Sequence, residues 1–450
     1  MKASALPKLG RPPGFLYRRA GTAGGAGLVL HCEQVPLSQL AERFGTPLYV
    51  YSSQVIRERV LAFHHAFRDV PHQLCYSAKA NSNLGLLRML AEMGCGFDVV
   101  SGGELERVLR ADRKAAKRVV FSGVGKTQDE MQAALKAGIL LFNVESESEL
   151  LALGEIAAKV RRTAPVALRV NPDVPAETHP YISTGLREHK FGIAIGQALR
   201  LYALAARNRF LAIAGVSVHI GSQITDVRPF SAAMLRVAAL VRELRNQGHQ
   251  IRYVDAGGGL GISYTHAQDS RDFAQYVDRY AKAVLRPLRR LEVELLLEPG
   301  RAIVGSAGVL LTRILYKKKN GPRRFLIADA AMNDLVRPSL YGAYHEILPV
   351  VPRRGAGSET VDVVGPVCET GDFLARGRRL PVTGEGELLA VMDSGAYGMV
   401  LASNYNSRTR PAEVMVQGKT VRFVRKRETM AELLRPEIRL DKLNSGIQKR

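Results

Sequence analysis

The chain has 450 residues, 46% hydrophobic and 24% charged, with no apolar run of bilayer length. That is globular composition with room for two domains, and it excludes a disordered chain and a membrane-spanning one. The 64 Lys and Arg exceed the 42 Asp and Glu by 22, an imbalance that attracts anionic small molecules and polyanions.

The excess is partly local. Met1 to Cys32 holds five basic residues and no acid, and Arg313 to Arg324 holds six basic residues. Nucleic-acid recognition calls for aromatics interleaved with the basic residues, and these clusters have few, so neither nucleic acid nor a membrane is expected as partner. Four scattered cysteines (Cys32, Cys75, Cys95, Cys368) form no C-x-x-C pair. No disulfide framework and no metal site is expected. The start of the chain lacks both a signal-peptide core and an amphipathic transit helix, which predicts a cytoplasmic protein.

In chain order, the first 45 residues include GLVLHCEQVPLSQLAERFGTP and are assigned to a later β domain. From about residue 48 a rhythm sets in. Eight β-rich runs follow: LCYSAK (74–79), GFDVVS (96–101), VVFSG (119–123), LFNVES (141–146), VALRVN (166–171), GVSVHIGS (215–222), YVDAGGG (253–259) and LLLEPGR (295–301). Helix-patterned stretches such as ELERVLRADRKAAK and QDEMQAALKAG lie between them. Eight strands alternating with helices predict a closed (β/α)8 TIM barrel over 46–305, with an open doubly wound sheet as the alternative. After residue 305 strand-like runs with Gly, Asp and Asn turns replace the helices. A mainly antiparallel β-sandwich or β-barrel domain is expected from 1–45 and 306–436, with a flexible basic tail over 437–450.

Barrels of this type carry their chemistry at the C-terminal strand ends. Those ends are Lys79, Ser101, Ser122, Glu145 and Ser146, Arg169 and Asn171, His219 and Ser222, Gly257 to Gly259, and Glu298, Gly300 and Arg301. Lys79 ends an apolar strand, where desolvation would free its amine to attack an aldehyde; a solvent-reaching lysine is the alternative. Gly257–Gly259 is read as following a strand and opening a helix, a backbone that can approach a phosphate closely. Glu298 is unsuited to a phosphate but suited to a positive ring nitrogen. Amine, phosphate site and acid together describe pyridoxal phosphate, with His219 stacked on the ring; a satisfied core histidine is the alternative for His219. Gly125-Lys126-Thr127 imitates the end of a phosphate-binding P-loop, but Val120 stands where the first glycine must be. The β domain adds Arg337 and Tyr341, Cys368 beside Glu369, and Tyr397 between small residues.

The segments YSAKAN, GFDVVSGGEL, FSGVGKT, NVESESEL, RVNPDV, THPYISTGL, KFGI, HIGSQ, GGGLGI, EPGR, DAAMNDLVRPSLY, VVGPVCETGDFLA and SGAYG…SNYNSR occur in that order from about Gly14 to Pro436. In them the chain resembles the diaminopimelate decarboxylases, pyridoxal-phosphate enzymes of the alanine-racemase-like fold type. The resemblance implies conversion of meso-2,6-diaminopimelate to L-lysine and CO2 through a Schiff base on Lys79, the last step of lysine biosynthesis. It implies His219 stacked on the pyridine ring, Glu298 on its nitrogen, and Ser222, Gly258, Gly259, Pro299, Gly300 and Arg301 around the phosphate. Arg301, Arg337 and Tyr341 would read a substrate carboxylate, Glu369 the distal ammonium, and Tyr397 both cofactor and substrate. Cys368 would be the proton donor, reaching the site of the neighbouring subunit in a homodimer. Ser394 stands where the family often has Ala. A decarboxylase of another basic or D-amino acid is the alternative within the same architecture, and a polyanion-binding protein the alternative outside it.

Overall fold

The computed structural model describes residues 14–19, 27–175, 190–265, 273–353, 355 and 357–438. The THPYISTGL segment and nearly all of the expected basic tail lie outside these residues. Two compact units are distinguished. The first takes in the residues up to Leu16, Ser52–Val309 and Met392–Val400; the second takes in Tyr17–Tyr51, Leu310–Val391 and the residues from Leu401 on.

The first unit is built on eight strands: β1 (His72–Ser77), β2 (Gly96–Val99), β3 (Val119–Phe121), β4 (Leu141–Val144), β5 (Ala164–Asn171), β6 (Leu211–Val218), β7 (Tyr253–Asp255) and β8 (Glu294–Leu297). Each pairs with the next in parallel, and β8 returns to β1 through Leu295↔His72, so the sheet closes into a barrel. Closure buries both faces of every strand, which is why the runs read as nearly continuous apolar sequence. Cys75, Val120, Leu141, Ala167, Tyr253 and Leu296, from six strands, pack into one buried cluster. Into this wall three strands each insert one fully buried polar side chain: Asp98 on β2, Asn143 on β4 and Asp255 on β7.

Helices follow the strands for local reasons. Ser101 Oγ accepts from Glu104 N at the start of Gly102–Ala111, and Ser146 Oγ accepts from Glu149 N at the start of Glu147–Val160. Thr127 and Glu130 form a reciprocal capping box for Gln128–Ala137, which Gly138 ends in a left-handed turn. Each such cap is worth about 1 kcal/mol. Ser101 and Ser146 therefore start helices at the strand ends.

Two local expectations change. The first strand stops at Ser77, and Lys79 lies in the 3-10 turn Ala78–Ala80. Gly257–Gly259 opens no helix, because the backbone of residues 256–265 is committed elsewhere. Gly257 N donates to Asp255 Oδ1 at 2.9 Å, Gly257 O accepts from Glu298 N at 2.9 Å, and Gly259 O accepts from Ile224 N at 2.9 Å. Gly257 and Gly259 take φ of 68° and 99°, which other residues rarely adopt.

In the second unit a sheet runs in the order Phe373–Pro381, Ser358–Val364, Arg323–Ala328, Gly308–Asn320, Leu48–Ser52, Ala412–Gln417, Thr420–Arg425. Leu388–Val391 pairs antiparallel with both Gly308–Asn320 and Ile347–Pro349. Arg323–Ala328 with Gly308–Asn320, Ser358–Val364 with Phe373–Pro381, and Ala412–Gln417 with Thr420–Arg425 are antiparallel pairs; Arg323–Ala328 runs parallel to Ser358–Val364. No helix of the described residues is long and apolar enough to cross a membrane.

Candidate active site

At the C-terminal mouth of the barrel, Lys79 Nζ lies 2.5 Å from Asp98 Oδ2, and Ser77 Oγ donates to the same oxygen at 2.8 Å. Burial works against the ammonium, but Asp98 and then Glu298 outweigh it, so the lysine's pKa is raised. Burial likewise raises Asp98, yet Lys79 and Ser77 outweigh it and its pKa is lowered. Lys79 is thus a cation held by a carboxylate.

His219 follows β6, and its Nδ1 accepts from Gly258 N at 3.2 Å. Burial, then the charges of Arg169 and Lys79, lower its pKa to about 3. At neutral pH this favours the uncharged ring, with Nδ1 as its acceptor. Such a ring offers a flat apolar face and no charge.

Glu298 closes β8 and is buried. Its Oε1 accepts from Ser122 Oγ at 3.3 Å and from Asn143 Nδ2 at 3.4 Å. Burial, then Asp255 and Asp98, push its pKa well up. Pro299 O accepts from Ser77 N at 3.2 Å, tying this turn to β1. A Cβ on Gly300 would stand 2.9 Å from Ala80 Cβ and 3.0 Å from Ser77 Cβ; one on Gly258 would stand 2.2 Å from Glu298 O. The two glycines let adjacent strand ends approach this closely.

Arg301 is buried and reaches Tyr264 Oη at 2.6 Å and Ser222 Oγ at 3.3 Å. Its guanidinium carbon also lies 4.7 Å from the centre of the Tyr397 ring. Tyr397 belongs to this unit; its N donates to Ala80 O at 2.8 Å, one residue from Lys79, and its φ is 54°. A left-handed tyrosine is backbone strain that its surroundings must hold in place. Lys79, His219, Ser222, Gly258, Gly259, Glu298, Pro299, Gly300, Arg301 and Tyr397 therefore all belong to one unit, linked by these bonds.

The strand-end reading passes over Asp98 and Asn143, which lie inside their strands, and Asp255, which ends β7 but is buried in the barrel wall. Their signal was present: an acid or an amide in the middle of GFDVV, LFNV and YVDA. Glu145 and Arg169, both strand-end residues, pair with each other at 2.9 Å, and Glu145 also accepts from Gly123 N and Gly192 N.

The second unit carries the other sequence candidates. Arg337 begins the short helix Arg337–Tyr341; it is buried, and its Nη1 lies 2.7 Å from His345 Nε2. Tyr341, at the end of that helix, is half-buried. Asp372 pins a loop at its base, accepting from Val367 N and Met332 N at 2.7 Å each. Beyond that base Cys368 and Glu369 are exposed; Cys368 N donates to Asn406 Oδ1 at 2.8 Å, and Tyr405 bonds to Glu369.

Residues 53–305 match the family described as "Pyridoxal-dependent decarboxylase, pyridoxal binding domain". A diaminopimelate decarboxylase of Pseudomonas aeruginosa is 52% identical over 404 residues, covering 90% of this chain and 95% of that protein. The crystal structure of diaminopimelate decarboxylase from Helicobacter pylori complexed with L-lysine is 41% identical, with a TM-score of 0.84 over 89% of this chain and 98% of that one. The enzyme of that name from M. jannaschii, in co-complex with L-lysine, is 36% identical with a TM-score of 0.87 over 96% of this chain and 98% of that one.

Proposed function

The chain belongs to the pyridoxal-dependent diaminopimelate decarboxylases, and on that premise we propose that it removes CO2 from meso-2,6-diaminopimelate to give L-lysine, the last step of lysine biosynthesis in the cytoplasm. The observation that carries this reading is the convergence of an amine (Lys79), an imidazole that accepts through Nδ1 (His219) and a buried acid (Glu298) on one barrel mouth.

Pyridoxal 5'-phosphate fits this donor set. Asp98 Oδ1 and Asn143 Oδ1 are buried and without a hydrogen-bond partner, so the site retains polar capacity that the protein alone does not use. Lys79 would bond to the aldehyde, Glu298 would meet the ring nitrogen, and His219 would lie against the ring. Ser222, Gly258, Gly259, Gly300 and Arg301 would surround the phosphate, Arg301 being the cation among them. The bound group supplies an electron sink for the bond that breaks as CO2 leaves.

The residues of this chain do the rest. Asp98 holds and orients the Lys79 ammonium. His219, held neutral, excludes water from one face without adding charge. Arg301 and Tyr397, stacked together, present a cation and a phenol to a carboxylate. Arg337 and Tyr341 would read the distal carboxylate and Glu369 the distal ammonium, a zwitterion that ornithine and arginine lack on their side chains. Cys368 would hold the proton delivered to Cα.

The Cys368 and Glu369 loop would complete the site of the neighbouring subunit in a homodimer. Supporting this, the thiol and the carboxylate are exposed on their own unit. A two-fold assembly would repeat the exchange and give two equal sites. Mixing inactive Lys79→Ala with inactive Cys368→Ala subunits should then restore activity, because each heterodimer carries one intact site. Absence of recovery after proven subunit exchange would refute sharing.

The function itself is tested by measuring CO2 and lysine formation from meso-diaminopimelate beside lysine, ornithine and arginine as substrates. Turnover of one of the other amino acids in preference to diaminopimelate would overturn the reading.

A further inference from the structure

Behind Glu298 lies a second buried carboxyl, Asp255, that none of the roles above uses. The two carboxyls meet around one amide: Asn143 Nδ2 donates to Asp255 Oδ2 at 2.6 Å and to Glu298 Oε1 at 3.4 Å. Two carboxylates repel, so a pair this close needs one proton between them.

The bonding around the pair shows which member carries it. Asp255 accepts from three donors: Gly257 N on Oδ1 at 2.9 Å, and Asn143 Nδ2 and Ser217 Oγ on Oδ2 at 2.6 and 3.3 Å. Glu298 receives only the longer bonds from Ser122 at 3.3 Å and Asn143 at 3.4 Å. The better-solvated carboxyl is the ionised one. Asp255 is therefore the ionised member of the pair and Glu298 the acid.

Asp255 also reaches the glycine turn. Gly257 N–H is fixed by Asp255, while Gly257 O receives Glu298 N. One side chain on β7 thus joins the acid that would face a ring nitrogen to the turn that would face a phosphate.

We propose that Asp255 is a positioning residue for Glu298: through its charge and the amide they share it keeps Glu298 protonated and aimed in the cofactor-free enzyme, and through Gly257 it holds the glycine turn in step with it. The cofactor part of this proposal rests on the reading given above; the proton does not. The titratable groups facing the pair are Asp98 on β2, Lys79 beyond β1, Cys75 on β1 and Tyr280 on the helix Phe273–Leu288. Of these, Asp98 and Lys79 act on Glu298 in opposite directions. Burial, then Asp255, raises the Glu298 pKa.

The experiment is infrared titration of the cofactor-free protein. Wild type should show the C=O stretch of a protonated carboxylic acid at neutral pH, and Glu298→Gln should lose it. In Asp255→Asn the midpoint of that band should fall by at least about one pH unit, because a like charge beside the acid is gone. Absence of the band in wild type, or an unmoved midpoint in Asp255→Asn, overturns the proposal. The wild-type measurement does not depend on how the variants fold, and neither band depends on catalysis, so a failure here is separable from a failure of the proposed reaction.

A second readout is pyridoxal phosphate affinity, followed by quenching of protein fluorescence. Losing a charged hydrogen bond in the support should weaken binding by roughly tenfold or more in Asp255→Asn. KM for diaminopimelate should stay unchanged while kcat falls, since Asp255 lies beneath the site. Unweakened cofactor binding, or a loss confined to KM, would refute the positioning role.

Discussion

Lys126 is the residue whose local sequence imitates a nucleotide-binding loop, and its environment predicts a stability effect that can be worked out. Its side chain is fully buried, and Nζ donates to Gly123 O at 2.8 Å, Asn143 O at 2.7 Å and Glu149 Oε1 at 2.7 Å. Glu149 is buried as well and spends its other oxygen on Glu145 N at 3.0 Å. Lys126→Met keeps the length of the side chain and removes the charge. It leaves a buried carboxylate and two carbonyls without their donor, at a cost of about 3–5 kcal/mol. Melting of the barrel unit should fall by roughly 6–20 °C, at about 2–4 °C per kcal/mol for a domain of this size. The loss should depend on pH in a stated sense. Burial already raises the Glu149 pKa despite Lys126, and removing the cation raises it further. A carboxyl with a raised folded pKa stabilises while protonated and loses that stabilisation as pH rises through its folded pKa. The variant should therefore approach wild type in acid and diverge as pH rises. Lys126→Met/Glu149→Leu, which removes both charges, should recover most of the lost stability. Calorimetry from acid to mildly alkaline pH checks all three statements. A pH-independent loss, or a double variant no better than the single one, would show that the pair does not carry the stability assigned to it.

Lys79→Ala should abolish covalent attachment of the cofactor, seen as loss of the borohydride-trapped adduct by peptide mass; an adduct retained on that peptide would contradict the role of Lys79. Gly258→Ala forces a Cβ to 2.2 Å from Glu298 O. It should cost about 1–3 kcal/mol by denaturant titration and weaken cofactor binding, and unchanged values would show that the strand ends can part freely. Arg337→Ala should raise KM for diaminopimelate far more than it lowers kcat, since a buried carboxylate deprived of its partner loses about 2–5 kcal/mol. An unchanged KM would remove Arg337 from substrate recognition.

The barrel was legible because closure imposes a pattern on sequence: eight short apolar runs, each ending where a polar or glycine residue can face the mouth. Lys79, His219, Glu298 and Arg301 were legible for the same reason, each lying at or just past such an end. The readings that failed depended on where a single backbone group bonds. Gly257–Gly259 resembles a helix start in composition, yet Asp255 Oδ1 has taken the Gly257 N–H and Glu298 N has taken the Gly257 carbonyl. Ser101 and Ser146 look like mouth residues along the chain, but their side-chain oxygens are spent on helix starts. Asp98, Asn143 and Asp255 were passed over for the opposite reason. Strand-end reasoning looks for exposed chemistry beyond the last apolar residue, whereas Asp98 and Asn143 lie inside their strands and Asp255 ends β7 with its side chain buried. A buried polar residue inside an apolar strand must find a partner or destabilise the fold. In a closed barrel its partners are other inward-facing polar residues, and here they are Lys79, Ser77, Ser122, Ser217 and Glu298. Polar interruptions inside barrel strands therefore point to the support of the site, just as the strand ends point to its surface.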